Sequence, residues 1–321
     1  MKKRITYPIL LFLLGLLQTC QYNDLQADSQ VSIAYFPDGK LASLALTFDD
    51  NCPSSFTAIV PMLQEYGYKA TFFIIPNQVR LNQWSKWRKL SEDGFEIGNH
   101  TLDHLNLATM RDSVKLHREI NKSYEIITDK IGKAPFSFAH PFNATSKAAE
   151  MVILEKHYVS RMSPGLCSVW GVTSSSRASY FEEFLDGGIE NSYFMAVAAH
   201  GIGDGWEPLT AGWLKHGLQM IKEREGKIAV ESFGNLAKYK IEQQNTEVAV
   251  RQFYKKLSVT LQTSLDTAVF NYPLTVVIDN PKNRWGEITP LDGTKILDVI
   301  HRDGKILIKL LPLSKFEIRR N

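Results

Sequence analysis

Leu41-Ala42-Ser43-Leu44-Ala45-Leu46-Thr47-Phe48-Asp49-Asp50 is the stretch that decides the fold. An apolar-rich run without polar alternation suits a strand covered on both faces, as in a parallel sheet flanked by helices. The run stops abruptly at two adjacent carboxylates. In parallel α/β folds that end of the strand is where ligands bind. Outward from this strand, residues 53–66 read as a helix, with Phe56, Ile59, Val60 and Leu63 at helical spacing and Gly67 as the stop. Residues 70–75, Ala-Thr-Phe-Phe-Ile-Ile, form the next strand, closed by Pro76.

The same unit repeats. Strands are expected over 95–98, 136–139, 158–160, 193–200 and 227–231, and helices over 111–131, 146–156 and 211–225. Strands alternating with helices imply a parallel sheet with right-handed crossovers. The strand count favours a barrel over an open sheet. From residue 247 the pattern changes to short runs such as Leu274-Thr275-Val276-Val277-Ile278, with the hairpin dipeptides Asp292-Gly293 and Asp303-Gly304. Residues 247–321 therefore read as a small all-β domain, with the boundary between 240 and 248.

The N-terminus reads as a processing signal. Lys2, Lys3 and Arg4 precede an apolar run over residues 9–17, too short to span the roughly 30 Å hydrocarbon core alone. Leu17-Gln18-Thr19-Cys20 resembles a lipoprotein box, which makes residues 1–20 a signal peptide, Cys20 the lipid-anchored first residue and residues 21–30 a tether. The expected location is the cell envelope, with the membrane reached only through that anchor. The chain has 37 basic and 34 acidic residues, so removing Lys2, Lys3 and Arg4 leaves 34 of each. A neutral mature chain without a concentrated basic patch excludes a nucleic-acid partner. Cys52 and Cys167 read as free apolar thiols, a bridge between them being the less favoured reading.

Several residues could carry chemistry. Asp49 and Asp50 share one strand end, where one acid can hold a metal and the other take a proton; as helix caps, only one of them would be needed. His100 and His104 stand four apart, the spacing that pairs imidazoles on a helical turn. Two histidines and one carboxylate, Asp50, make a three-ligand metal set that leaves positions open for water and substrate. Asp103 and Thr101 stand ready to support them. His200 ends an apolar strand beside Gly201, a place for an accessible acid or base. His140 follows another strand and Trp206 directly follows the His200 strand; both are expected to meet substrate. Eight histidines occur in all; His117, His157, His216 and His301 sit among ordinary helix and strand residues and receive no role.

Thr47-Phe48-Asp49-Asp50, His100-Thr101-Leu102-Asp103-His104 and the strand ending in His200 together resemble the polysaccharide deacetylases of the NodB-homology type, carbohydrate esterase family 4. The resemblance spans about residues 31 to 235. It implies a distorted (β/α)7 barrel over residues 31–240. It implies Asp49 as general base, His200 as general acid, and one divalent ion, zinc first and cobalt, nickel or manganese after it, on Asp50, His100 and His104. The implied partner is an acetylated polysaccharide or oligosaccharide that loses acetate by amide or ester hydrolysis. Two segments depart from the family pattern. Where an Arg-Pro-Pro-Tyr-Gly-like motif supplies an arginine to orient the base, this chain has Phe138-Ala139-His140-Pro141-Phe142-Asn143, with Arg161 as a compensating charge of unassigned position. Where an acid precedes a tryptophan, it has Cys167-Ser168-Val169-Trp170. The alternatives are a non-catalytic carbohydrate-binding or envelope protein on the same fold, and a hydrolase of ring or linear amides.

Overall fold

The computed structural model describes residues 31–321; the expected signal peptide, Cys20 and the expected tether lie outside them. In chain order the first nine strands are β1 (Val31–Ile33), β2 (Ala42–Asp49), β3 (Thr71–Ile74), β4 (Glu96–Asn99), β5 (Ser137–Phe138), β6 (Val159–Ser160), β7 (Ser168–Gly171), β8 (Phe194–Ala199) and β9 (Ile228–Val230). β2 is buried at every residue. β2 to β9 form one parallel sheet in the order β6-β5-β4-β3-β2-β8-β7. Both β3 and β9 pair with β2, β9 beside Ala42–Leu44 and β3 beside Thr47–Asp49. The expected fold class stands: an α/β domain of the NodB type, followed by a separate small all-β part. The barrel has eight strands rather than about seven, and it is open. β6 and β7 end the path without pairing, because β5 and β6 are two residues long and too short to carry the ladder round.

The helices cover the outer face. A π turn, Ser55–Ile59, runs into α1 (Val60–Tyr66), which stops at left-handed Gly67. α2 (Trp84–Glu92) follows β3. The expected helix over 111–131 is three pieces, α3 (Ser113–His117), a π turn (Arg118–Lys122) and α4 (Ser123–Ile131), opened by the Asp112 side chain accepting from the Val114 and Lys115 amides. α5 (Lys147–Ile153), α6 (Ala178–Glu190), α7 (Ala211–Glu223) and α8 (Phe233–Gln244) complete the set. The sequence reading misses α2, α6, α8 and β7. α8 runs into the boundary expected between 240 and 248, and its buried face mixes Gly234, Tyr239 and Glu242 with apolar side chains, which blurs the helical period.

The remaining strands are β10 (Thr246–Phe253), β11 (Lys256–Thr263), β12 (Leu274–Asp279), β13 (Trp285–Leu291), β14 (Ile296–Arg302), β15 (Lys305–Leu310) and β16 (Lys315–Arg320). They form two four-stranded sheets, β1-β12-β15-β14 and β10-β11-β16-β13. Leu257, Val259 and Ile318 of one sheet and Val276, Ile306 and Ile308 of the other share one core, the packing of a β-sandwich. Asp303 and Gly304, both left-handed, make the two-residue turn between β14 and β15 that the sequence announced. Two features cross between the parts. β1 leaves the stretch read as barrel and pairs with β12. Tyr239 of α8 joins the sandwich core, its hydroxyl donating to the Ala34 carbonyl at 2.8 Å.

Candidate active site

The C-terminal ends of β2, β4, β5, β7 and β8 surround one open cleft of about 590 Å³. Asp49 is still on β2, paired with Phe73. Asp50 and Asn51 then take left-handed backbone angles, φ 67° and 42°, and the chain turns sharply. Asn51 Oδ1 accepts from the Ile75 amide at 2.9 Å, tying this turn to the end of β3. Neither acid caps the following helical turn. That task falls to Asp204, which accepts from the Ser54 amide and hydroxyl. Ser54 Oγ in turn accepts from the Ile202 amide at 2.8 Å, so the His200 loop is anchored to the Asp50 turn.

His100 and His104 do not lie on a helical turn. They stand in an irregular loop after β4, with Thr101 and His104 left-handed at φ 65° and 59°. The loop nevertheless brings the rings together, 4.9 Å between centroids. Asp50 Oδ1 lies 3.4 Å from His100 Nε2 and 3.5 Å from His104 Nε2. One ligand atom from each of the three residues falls within a 4.8 Å cluster able to hold a metal ion. The donor chemistry fits a cation. His100 Nδ1 is 2.9 Å from the Ala139 carbonyl, which only accepts, so Nδ1 carries the proton and Nε2 presents a lone pair to Asp50. Asp50 Oδ1 is buried and accepts no hydrogen bond. Burial, then the neighbouring His100, holds His104 below the usual imidazole range, which favours its neutral, ligating form.

Asp49 has different company. Arg161, just past β6, donates from Nη1 to Asp49 Oδ1 at 2.9 Å and from Nη2 to Oδ2 at 2.6 Å. Nη1 also meets Thr47 Oγ1 at 2.8 Å, and the guanidinium lies over the Phe73 ring. Both ions are nearly inaccessible, Arg161 at 3% and Asp49 at 5% exposure. Burial pushes the Asp49 carboxyl up, but Arg161, aided by His100 and His200, outweighs it and holds the group below the usual carboxylate range. Oδ2 also faces His100 Nε2 at 3.9 Å, so Asp49 borders the metal cluster without joining it.

His200 follows β8 on the other side, its Nε2 3.6 Å from Asp50 Oδ2. Among the described residues no other carboxylate lies within 4.0 Å of its nitrogens, in keeping with the missing acid before Trp170. Trp206, 64% exposed, packs edge-on against His200 with ring centroids 5.5 Å apart. Phe142, equally exposed, covers His104 at 4.7 Å. His140, expected to meet substrate, lines the cleft but is only 1% exposed, its Nε2 2.8 Å from Glu150 Oε1 of α5. Phe142 takes the exposed place. Its left-handed φ of 59° is invisible in a sequence that shows only a Pro-Phe-Asn turn. Cys52 and Cys167 are free, as expected, and burial pushes each thiol up to about 12.

A model of the polysaccharide deacetylase family matches residues 38–159, the span that carries Asp49, Asp50, His100 and His104. The match covers 122 of the 321 residues and likens that span to the polysaccharide deacetylases. A gellan lyase of Bacillus sp is 23% identical over 89% of this chain and 13% of its own length. A peptidoglycan-N-acetylglucosamine deacetylase of Listeria monocytogenes is 32% identical over 37% of this chain and 26% of its own. A peptidoglycan-N-acetylglucosamine deacetylase of Bacillus cereus is 28% identical over 49% and 78%. The chain thus spans far less than two thirds of the first two relatives. Against the family pattern, the arginine on Asp49 comes from the end of β6 instead of the segment after β5. His140, at the displaced position, is turned toward Glu150.

Proposed function

We propose that this chain removes acetyl groups from an acetylated carbohydrate by metal-dependent hydrolysis. The observation that carries this reading is the three-ligand cluster of Asp50, His100 and His104, with a second acid and a third histidine facing it in one cleft. A decayed, purely binding relative would have lost part of such a set. Asp50, His100 and His104 would hold one divalent ion, for which we propose zinc. When bound, the ion supplies Lewis acidity for a carbonyl.

The chain's own residues supply the proton handling. Arg161 engages both Asp49 oxygens and fixes the carboxylate plane, leaving a lone pair of Oδ2 toward the cluster. Asp49 is the general base that takes the proton of the attacking water. His200, across the cluster, is the general acid that protonates the leaving amine or alkoxide. Trp206 and Phe142 offer flat apolar faces at the cleft mouth, suited to a sugar ring. The named relatives point to a polymer containing N-acetylglucosamine as the first substrate to try. Export and attachment through Cys20 are proposed on the sequence of residues 1–20 alone.

The test is acetate release from a panel of acetylated glycans, including peptidoglycan fragments, chitin oligomers and acetylated xylan. The panel is run with the protein as purified, after chelation, and after adding back each metal. Release from at least one glycan that is lost on chelation and restored by metal supports the reading. Tight glycan binding without acetate release under every metal condition would move the chain to the binding class.

A further inference from the structure

The loop carrying His100 and His104 has no regular structure to define it, yet every backbone amide in it is engaged. The His100 amide donates to the Ile74 carbonyl at 3.0 Å. The Thr101 amide donates to Asn99 Oδ1 at 3.0 Å, and the Leu102 amide to the Glu119 carbonyl at 2.9 Å. The Asp103 amide donates to Glu119 Oε2 at 2.9 Å, and the His104 amide to Thr101 Oγ1 at 3.0 Å. Two of these acceptors depend on groups outside the loop. Asn99 is wholly buried, its Nδ2 3.2 Å from the Ile120 carbonyl and 3.0 Å from His157 Nε2, while Ser123 Oγ donates to its Oδ1. His157 Nδ1 lies 3.1 Å from the Ile153 carbonyl, which fixes Nδ1 as the protonated nitrogen and Nε2 as the acceptor for Asn99. Glu119 is a carboxylate only 1% exposed, and it sits in the π turn between α3 and α4. That turn swings its carbonyl and carboxylate onto the loop together. A π turn in a helix is a frequent mark of a functional site.

We propose that Glu119 and the Asn99–His157 pair are positioning residues that preform the metal-ligand loop before any ion arrives. The physical argument is that two non-glycine residues, Thr101 and His104, hold left-handed backbone angles, a strained conformation that persists only where surroundings impose it. The imposing groups are those just named. Buried Glu119 and His157 are not among the residues that line the cleft, so neither is placed as a ligand or a catalytic residue. They act through His100 and His104.

Two measurements test this, and neither reads catalysis. The first is hydrogen exchange of the loop amides in the wild-type protein with and without metal. Preformation requires that the amides of Thr101, Leu102, Asp103 and His104 be protected in the metal-free protein nearly as well as in the loaded one. Free exchange without metal and protection only on loading would overturn the proposal, because the ion would then be shaping the loop. The second uses His157→Leu and Glu119→Leu beside the conservative His157→Gln and Glu119→Gln, which keep an oxygen acceptor in reach. Metal affinity from chelator competition should weaken about 10–100-fold in the leucine variants, and the visible spectrum of bound cobalt should change. The amide variants should recover most of both. A leucine variant that loses melting temperature but keeps wild-type affinity and an unchanged cobalt spectrum assigns these residues to general stability and refutes the positioning role. Should the leucine variants fail to fold, the exchange measurement still decides.

Discussion

At the residue scale, Asp49 and Asp50 show how neighbours on a chain acquire different chemistry. Both end the same strand, but Asp50 turns left-handed into the histidine cluster while Asp49 stays in the sheet, gripped by Arg161. Asp49→Asn removes the proposed base and keeps the size. It should retain metal and fold and lose roughly 10²–10⁴-fold in acetate release; an emptied metal site would show that the two acids have been assigned backwards. His200→Ala should also keep the metal. Its loss should be larger on amide than on ester substrates, since an amine leaves poorly without a proton. Arg161→Met leaves a buried carboxylate without its partner, a change that typically costs about 3–5 kcal/mol. Chemical unfolding should show that loss, and a fall of less than about 1 kcal/mol would mean that Asp49 finds another partner. The two acids and three histidines were legible because each ends a strand or belongs to a short dense motif. Arg161 was visible only as a charge without an address. A pair of ions 112 residues apart in the chain is set by sheet order, which local pattern does not encode. His140 is the complementary case: its place after a strand says nothing of Glu150 beside it.

At the element scale, periodicity located the strands that build the site. β2 is as buried as its composition required. Period failed where geometry departs from it. The four-residue spacing of His100 and His104 suggested a helical turn, but the loop achieves the same proximity through two left-handed residues. The long helix expected over 111–131 is capped by Asp112 and hides a π turn inside. Asp204 belongs to this scale, because it ties the loop after β8 to the turn after β2 through Ser54. Asp204→Ala should free His200 without touching the metal ligands. Metal content is expected to stay at the wild-type level while turnover falls at least tenfold, the low end for a misplaced acid–base group. Equal turnover would show that His200 needs no such anchor.

At the scale of the whole molecule, the barrel and the sandwich are joined through α8. Glu242 on that helix is inaccessible, with Oε1 accepting from the Tyr272 amide at 2.9 Å and Oε2 unpaired. Burial pushes its carboxyl up to about 7 from an ordinary 4.5. The folded state therefore prefers the protonated form. Its contribution to stability is complete below about pH 4.5 and lost as the pH rises through about 7. Glu242→Gln mimics the protonated state, so it should match the wild type at pH 4 to 5 and exceed it at pH 8 by on the order of 2–3 kcal/mol. Unfolding curves at the two pH values check this, and a difference that does not change with pH would place the titration elsewhere. The existence of a β-rich C-terminal part was readable from its hairpin turns. Its borrowed strand, Val31–Ile33, was not, since three residues carry no period of their own.

The central claim is that Asp50, His100 and His104 hold a single divalent ion. It is tested most directly by the metal content of the purified wild-type protein beside a His100→Ala, His104→Ala double variant, measured by elemental mass spectrometry after identical metal loading and dialysis. The expected result is one ion per wild-type chain and essentially none in the double variant, with both folded. A double variant that retains a full equivalent of metal would contradict the account.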